Sequence, residues 1–231
     1  MKGKFFGAGV GPGDPELMTL KAVRIIKNAD VIAFPQKGNE QSEALKIAKG
    51  AYSDIDKKEL VPIYMPMTKD ENLLKESHDE AVCKIEKYLS KGKNTVFLTL
   101  GDPTVYSTYI YIHKRILEMG YEAEIISGIA SFCASSARLN ISLAEKDELL
   151  HIVPASYSLE NLSEILSLPG NKVLMKSGSR IGEVKEKIRN AGLQAKMVEN
   201  CGMENERIYD TLEEIPCTAG YYSLIVVKDK F

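Results

Sequence analysis

Two glycine motifs in this chain combine residue types that do chemistry at close spacing. The first is Gly7-Ala8-Gly9-Val10-Gly11-Pro12-Gly13-Asp14-Pro15-Glu16-Leu17, and the second is Leu100-Gly101-Asp102-Pro103-Thr104-Val105-Tyr106-Ser107. Each follows a short apolar run that reads as a buried strand, residues 4–6 and 95–100. A strand ending in a glycine turn at the carboxyl edge of a sheet is where α/β proteins bind ligands. The usual phosphate-binding patterns fail here. A dinucleotide fingerprint, G-x-G-x-x-G, meets Pro12 when counted from Gly7 and Asp14 when counted from Gly9. A Walker loop needs Gly-Lys-Ser/Thr, which occurs nowhere in the chain. Asp14 and Asp102 would also repel an anionic phosphate. A cationic ligand is favoured instead. S-adenosylmethionine carries a sulfonium and an ammonium against a single carboxylate, so an acidic, glycine-rich loop suits it. A lone Gly-Asp-Pro reads simply as a tight turn, but two of them, each after a buried strand, weigh toward a site.

These loops need elements to hold them, and the pattern alternates strand and helix. Residues 19–30 carry Leu20, Val23, Ile26 and Ala29 on one helical face, and 31–34 form a short apolar strand ending at Pro35. Helices are expected at 42–49, 73–89, 109–119 and 131–139, with a strand at 122–126. The segment 140–148 is polar at its end and lacks periodicity, so the domain boundary is placed there: 1–140 is one α/β domain and 148–231 another. The second half repeats the alternation, with strands at 149–153, 172–175, 194–198 and 223–227 and helices at 159–168 and 181–190. A ligand is expected in a cleft between the halves.

Composition narrows the class. The chain has 231 residues, 44% hydrophobic and 27% charged, with a net charge of −2. That excludes a global basic surface for nucleic acid. No apolar run approaches the roughly 20 residues that span a bilayer, and the first residues lack a signal-peptide core, so a cytoplasmic protein is expected. Cys83, Cys133, Cys201 and Cys217 have no CxxC spacing, and His78, His113 and His151 are scattered, so neither disulfides nor a protein-bound metal is expected.

With these residues in view, the chain resembles the tetrapyrrole methylases of cobalamin and sirohaem synthesis. The opening loop through Met18-Thr19, the Leu100-Gly101-Asp102-Pro103 signature and Ser127-Gly128-Ile129-Ala130-Ser131-Phe132 carry the resemblance over nearly the whole chain. The last segment departs from the family's Pro-Gly-Ile-Ser-Ser at Ser127 and Ala130. Within the family, Thr104-Val105-Tyr106-Ser107-Thr108, Pro66-Met67-Thr68-Lys69-Asp70 and Glu199-Asn200-Cys201-Gly202-Met203-Glu204 are most similar to methyltransferases acting at C20 of precorrin-2 or cobalt-factor II. The resemblance implies the tetrapyrrole methylase fold: two unequal α/β domains, S-adenosylmethionine bent into the cleft between them, and a homodimer. It places cofactor contacts at Pro12, Gly101, Asp102, Val105, Ala130 and Ser131. In the second domain it places them at Ala155, Met175, Gly202, Tyr222, Ser223 and Leu224. Diphthine synthase and uroporphyrinogen III methyltransferase are alternatives in the same superfamily. A non-catalytic nucleotide-binding module is a further one.

The implied reaction is an in-line displacement at the sulfonium methyl by a macrocycle carbon. A neutral thioether leaves, so no acid or nucleophilic triad is needed, and orientation alone supplies on the order of 7–11 kcal/mol in favourable cases. Asp102, Tyr106 or solvent is left to take the C20 proton, with Asp102 read mainly as a positioning group. The substrate's rim of carboxylates calls for basic groups, and Lys37, Lys69, Lys176 and Arg180 lie in or beside the expected loops.

Overall fold

In this computed structural model, which describes residues 1–38, 41–66, 68, 70–155 and 159–231, the chain divides into two units, Met1–Ala130 and Ser131–Phe231. The first unit holds β1 (Phe5–Gly9), α1 (Leu20–Asn28), β2 (Val31–Gln36), α2 (Glu43–Ala51), β3 (Glu59–Tyr64), α3 (Glu71–Leu89), β4 (Thr95–Thr99), α4 (Tyr109–Glu118) and β5 (Ala123–Ile126). The strands lie in the order β3-β2-β4-β1-β5, and every pair is parallel.

The central strands are apolar on both faces because helices cover both. Ala8, Ile32, Val96 and Leu98 pack with Ala22 and Ile26 of α1 and Ala44 and Leu45 of α2. Phe5, Val31, Ala33 and Phe97 pack with Ala81 and Ile85 of α3 and Ile112 and Ile116 of α4. The split follows from the connections. From β1 the chain crosses the sheet toward β2, and from β4 it crosses the opposite way, toward β5. Right-handed crossovers then put α1 and α4 on opposite faces. Chains leaving the adjacent strands β1 and β4 therefore diverge at their carboxyl ends, and this is the topological switch point where open α/β sheets bind ligands.

The sequence pattern gave no strand at β3 and stopped β2 at residue 34. Both differences have one cause. Proline cannot donate to a ladder and argues against a strand, yet Pro62 sits on β3, an edge strand paired only with β2, and Pro35 stands opposite Ile63 of β3, beyond the residues of β2 that pair with β4.

The second unit holds α5 (Ser131–Arg138), β6 (Leu150–Pro154), α6 (Leu162–Ser167), β7 (Asn171–Met175), α7 (Ile181–Asn190), β8 (Gln194–Glu199), β9 (Arg207–Tyr209) and β10 (Ser223–Lys228). Its order is β6-β7-β10-β8-β9. β6 and β7 are parallel, and β10 runs antiparallel between β7 and β8. The carboxyl ends of β6, β7 and β8 therefore share one end of the sheet with the amino end of β10. Leu162 and Leu166 of α6 and Ile181, Val184 and Ile188 of α7 cover one face, against Leu174, Met197, Ile225 and Val227. Helix α5 packs on β8 and β10. That contact puts α5 in the second unit, so the division falls between Ala130 and Ser131 rather than in the polar segment 140–148. β9 escaped the sequence reading because its three residues, two of them exposed, show no apolar alternation. Among the described residues no helix is long and apolar enough to cross a membrane.

Candidate functional site

The two motifs land on the two strands that flank the switch point. Gly9 at the end of β1 stands opposite Thr99 at the end of β4. Beyond the strands the loops stay hydrogen-bonded: Val10 N donates to Thr99 O at 2.9 Å, Gly101 N to Gly11 O at 2.8 Å and Gly11 N to Gly101 O at 3.3 Å. The exchange needs Gly11 at φ +77° and Gly101 at φ +70°, a region L side chains rarely adopt. The third motif joins at the end of β5, where Gly128 N donates to Asp102 Oδ2 at 3.0 Å. A Cβ on Gly128 would stand 2.2 Å from Gly101 O, and one on Gly9 would stand 2.6 Å from the same oxygen. Three loops distant in sequence thus meet at backbone distance, with glycine as the spacer.

Asp102 is buried, and both its oxygens are engaged. Oδ1 accepts from Thr104 N at 2.8 Å and from Thr104 Oγ1, while Oδ2 holds Gly128. Asp14 Oδ1 accepts from Glu16 N at 2.8 Å and caps the short 3-10 turn Pro15–Leu17. Both aspartates therefore cap their turns, and Asp102 in addition ties the β4 and β5 loops together. Val105 N closes the same turn on Asp102 O at 3.2 Å. Tyr106, the next residue, is exposed and has φ +47°, a costly backbone for a bulky residue. Pro12 is buried in the first loop, Ala130 is half-buried two residues past Gly128, and Lys37 is exposed just beyond β2. Lys69 lies outside the described residues.

Beneath the loops, β1 has glycine at position 7 because the Tyr109 ring occupies the space a side chain would need: a Cβ there would meet the ring at 2.0 Å. Tyr109 Oη and His113 Nδ1 are 2.7 Å apart. Burial pushes the Tyr109 phenol well above its ordinary range and the His113 imidazole below its own. Thr99 Oγ1, at the end of β4, is buried without a hydrogen-bond partner among the described residues.

In the second unit the expected positions gather at one end of the sheet. Ala155 N donates to Met175 O at 2.8 Å, and Met175 stands opposite Leu224 in the ladder. Ser223 stands opposite Glu199, and Asn200 N donates to Tyr222 O at 3.0 Å. Glu199 is buried and accepts from Gly220 N at 2.5 Å, fixing the loop before β10. Gly202, at φ +74°, donates its N–H to Glu206 Oε2 at 2.7 Å. Ser131 opens α5. Lys176 follows β7 with φ +58°, and burial lowers its amine from the usual lysine range. Arg180 precedes α7 and is clamped by Glu183, Nε to Oε1 at 2.8 Å and Nη2 to Oε2 at 2.7 Å, which raises its pKa.

The model of the Tetrapyrrole (Corrin/Porphyrin) Methylases matches residues 4–216. The chain belongs to this family. Its Methanocaldococcus jannaschii relative, a probable cobalt-precorrin-2 C(20)-methyltransferase, is 42% identical over 158 residues, 68% of this chain. The match covers 66% of that relative, just under two thirds of its length. A cobalt-precorrin-2 C(20)-methyltransferase of Salmonella typhimurium is 28% identical over all of this chain and 98% of its own. The fold matches the crystal structure of uroporphyrin-III C-methyl transferase from Thermus thermophilus complexed with S-adenyl homocysteine, with TM-score 0.71, 19% identity and 98% of each chain covered.

The donor set of this tetrapyrrole methylase fits S-adenosylmethionine. The loops at β1, β4 and β5 offer glycine backbone held in shape by the buried Asp102 carboxylate, and the two opening motifs contain no basic side chain that would pair with a phosphate. Among the described residues, no group of three or more His, Cys, Asp or Glu is placed to hold a metal ion. Sequence reasoning passed over Thr99, Arg138 and Glu206 as site residues, since none has a motif spacing. Glu199 and Gly128 lie within motifs, but their roles rest on bonds to Gly220 and Asp102, residues far from them in the chain.

Proposed function

We propose that this tetrapyrrole methylase transfers a methyl group to C20 of precorrin-2 or cobalt-factor II in cobalamin biosynthesis. The observation that carries the reading is the three-loop junction at the β1/β4 switch point, built from the motifs whose tail, Thr104-Val105-Tyr106-Ser107-Thr108, resembles the C20 enzymes. S-adenosylmethionine supplies an electrophilic methyl on a sulfonium whose departure as a neutral thioether needs no acid. Its contacts are assigned to Pro12, Gly101, Asp102, Val105 and Ala130 in the first unit. In the second they are assigned to Ser131, Ala155, Met175, Gly202, Tyr222, Ser223 and Leu224. Asp102 shapes the loops, because its carboxylate already accepts three hydrogen bonds. Tyr106, held in a strained backbone and exposed, is the better placed of the two to meet the macrocycle. Lys37 and Lys176 meet substrate carboxylates, while Arg180 is committed to Glu183. The enzyme works in the cytoplasm as a homodimer.

The deciding experiment is turnover of precorrin-2 and of cobalt-factor II, side by side, with labelled S-adenosylmethionine. Label on the macrocycle at C20 is the expected result. Label on uroporphyrinogen III or on elongation factor, with none on either C20 substrate, would move the chain to another member of the superfamily.

A further inference from the structure

Helix α5 and the loop between β8 and β9 are joined by one carboxylate. Arg138, the last residue of α5, donates to Glu206 Oε1 from Nε at 2.8 Å and from Nη2 at 2.5 Å. The other oxygen, Oε2, accepts from Gly202 N at 2.7 Å. The Glu206 side chain is only 14% exposed, while that of Arg138 is 56% exposed. The arrangement holds the Glu206 carboxyl below its usual range, through Arg138 and the Gly202 amide acting against the cost of burial. The loop it grips is tightly shaped. Asn200 and Gly202 both have positive φ, and Met203 N donates to Asn200 O at 2.9 Å.

We infer that Glu206 is a positioning residue for cofactor binding: it locks the Gly202 amide to α5, and with it the loop on which Gly202 lies. The inference rests on the assignment of Ser131 and Gly202 as S-adenosylmethionine contacts. Ser131 begins α5 and Arg138 ends it, so a helix of rigid pitch joins one contact to the pin that holds the other. An exposed ion pair by itself does little for stability. The charge-assisted bond to a backbone amide is the stronger kind, and here that amide belongs to Gly202, which is assigned as a cofactor contact. Glu206 uses three acceptor bonds and no donor. Glutamine cannot reproduce this, because its amide nitrogen must face either Gly202 N–H or the guanidinium.

Four variants test it, Glu206→Gln, Arg138→Glu, Glu206→Arg and the last two combined, each by binding of S-adenosylhomocysteine in isothermal titration, by KM and kcat, and by thermal unfolding. Glu206→Gln is expected to weaken binding and raise KM for S-adenosylmethionine about tenfold, with kcat at saturation within about twofold. Arg138→Glu combined with Glu206→Arg restores an ion pair of reversed sense and recovers much of the thermal stability lost in either single variant. Arginine has no acceptor, so Gly202 N–H stays unheld and the affinity stays low. Recovery of affinity together with stability in this pair would overturn the proposal, because a merely structural link would behave so. Wild-type affinity in a folded Glu206→Gln would overturn it as well. Failure of the wild-type protein to bind S-adenosylhomocysteine would instead strike the cofactor assignment on which the inference rests.

Discussion

Asp102 shows how a motif residue changes meaning once its partners are known. From its type it read as a negative charge placed for a cation. Its geometry is that of a three-way tie, with Thr104 on one oxygen and Gly128 on the other. Asp102→Asn keeps an acceptor for Thr104 but turns an amide donor toward Gly128 N–H. The expected result is a stability loss on the order of 1–3 kcal/mol and a raised KM for S-adenosylmethionine, with turnover retained, measured by urea unfolding and steady-state kinetics. Normal cofactor affinity with turnover abolished would instead make Asp102 the base. A second residue-scale prediction concerns pH. Burial lowers the pKa of His113, and burial followed by the Arg115 charge lowers that of His78. Unfolded histidine titrates near 6.5, so below that value the unfolded chain binds more protons than the folded one. Stability contributed by the neutral imidazoles is complete above about pH 6.5 and declines as pH falls through that value toward the folded pKa. Urea midpoints between pH 7.5 and 5.5 should fall, and the fall should be smaller in His113→Gln. An unchanged slope in the variant would assign the effect elsewhere.

At the scale of elements, the site depends on strands being able to approach one another without side chains. Gly7 accepts the Tyr109 ring, and Gly9 and Gly128 both abut Gly101 O. Gly128→Ala puts a methyl group against a backbone oxygen that cannot move without breaking the Gly11–Gly101 exchange. The expected cost is about 1–3 kcal/mol of stability, as for overpacking generally, together with weakened S-adenosylhomocysteine binding by titration calorimetry. An alanine there that left both unchanged would show that the junction yields. Most of these elements were legible from periodicity. The helices of both units and the buried strands β1, β4 and β7 follow from apolar spacing and glycine stops. β3 was not, because Pro62 is tolerable only on an edge, and which strand is an edge is a property of the assembled sheet. α5 is legible as a helix, but the sheet it packs on is not, because its small residues suit either in principle and only the fold shows the contact with β8 and β10.

For the whole molecule, a ligand that binds the folded chain alone must raise its stability by mass action. S-adenosylhomocysteine at a hundred times its Kd should add about 2.7 kcal/mol, a rise in Tm of roughly 5–10 °C for a chain of this size. No shift on adding S-adenosylhomocysteine, in a protein that melts cooperatively, would remove the cofactor assignment. Sedimentation should give twice the 25.6 kDa chain mass for the proposed homodimer, and a monomer at working concentrations would remove that part of the proposal. What the chain alone determined was local: strands with apolar runs, helices with apolar stripes, glycine turns that exclude phosphate loops, and the motifs of a tetrapyrrole methylase. Such features depend on residues a few positions apart, so one dimension carries them. The strand order was decided only in three dimensions. It makes β1 and β4 neighbours across some ninety residues of sequence and turns two separate glycine motifs into one junction. The same holds for the partners of Asp102, Glu199 and Glu206. A carboxylate's role is set by which donors surround it, and those donors arrive from chain segments that no local spacing connects.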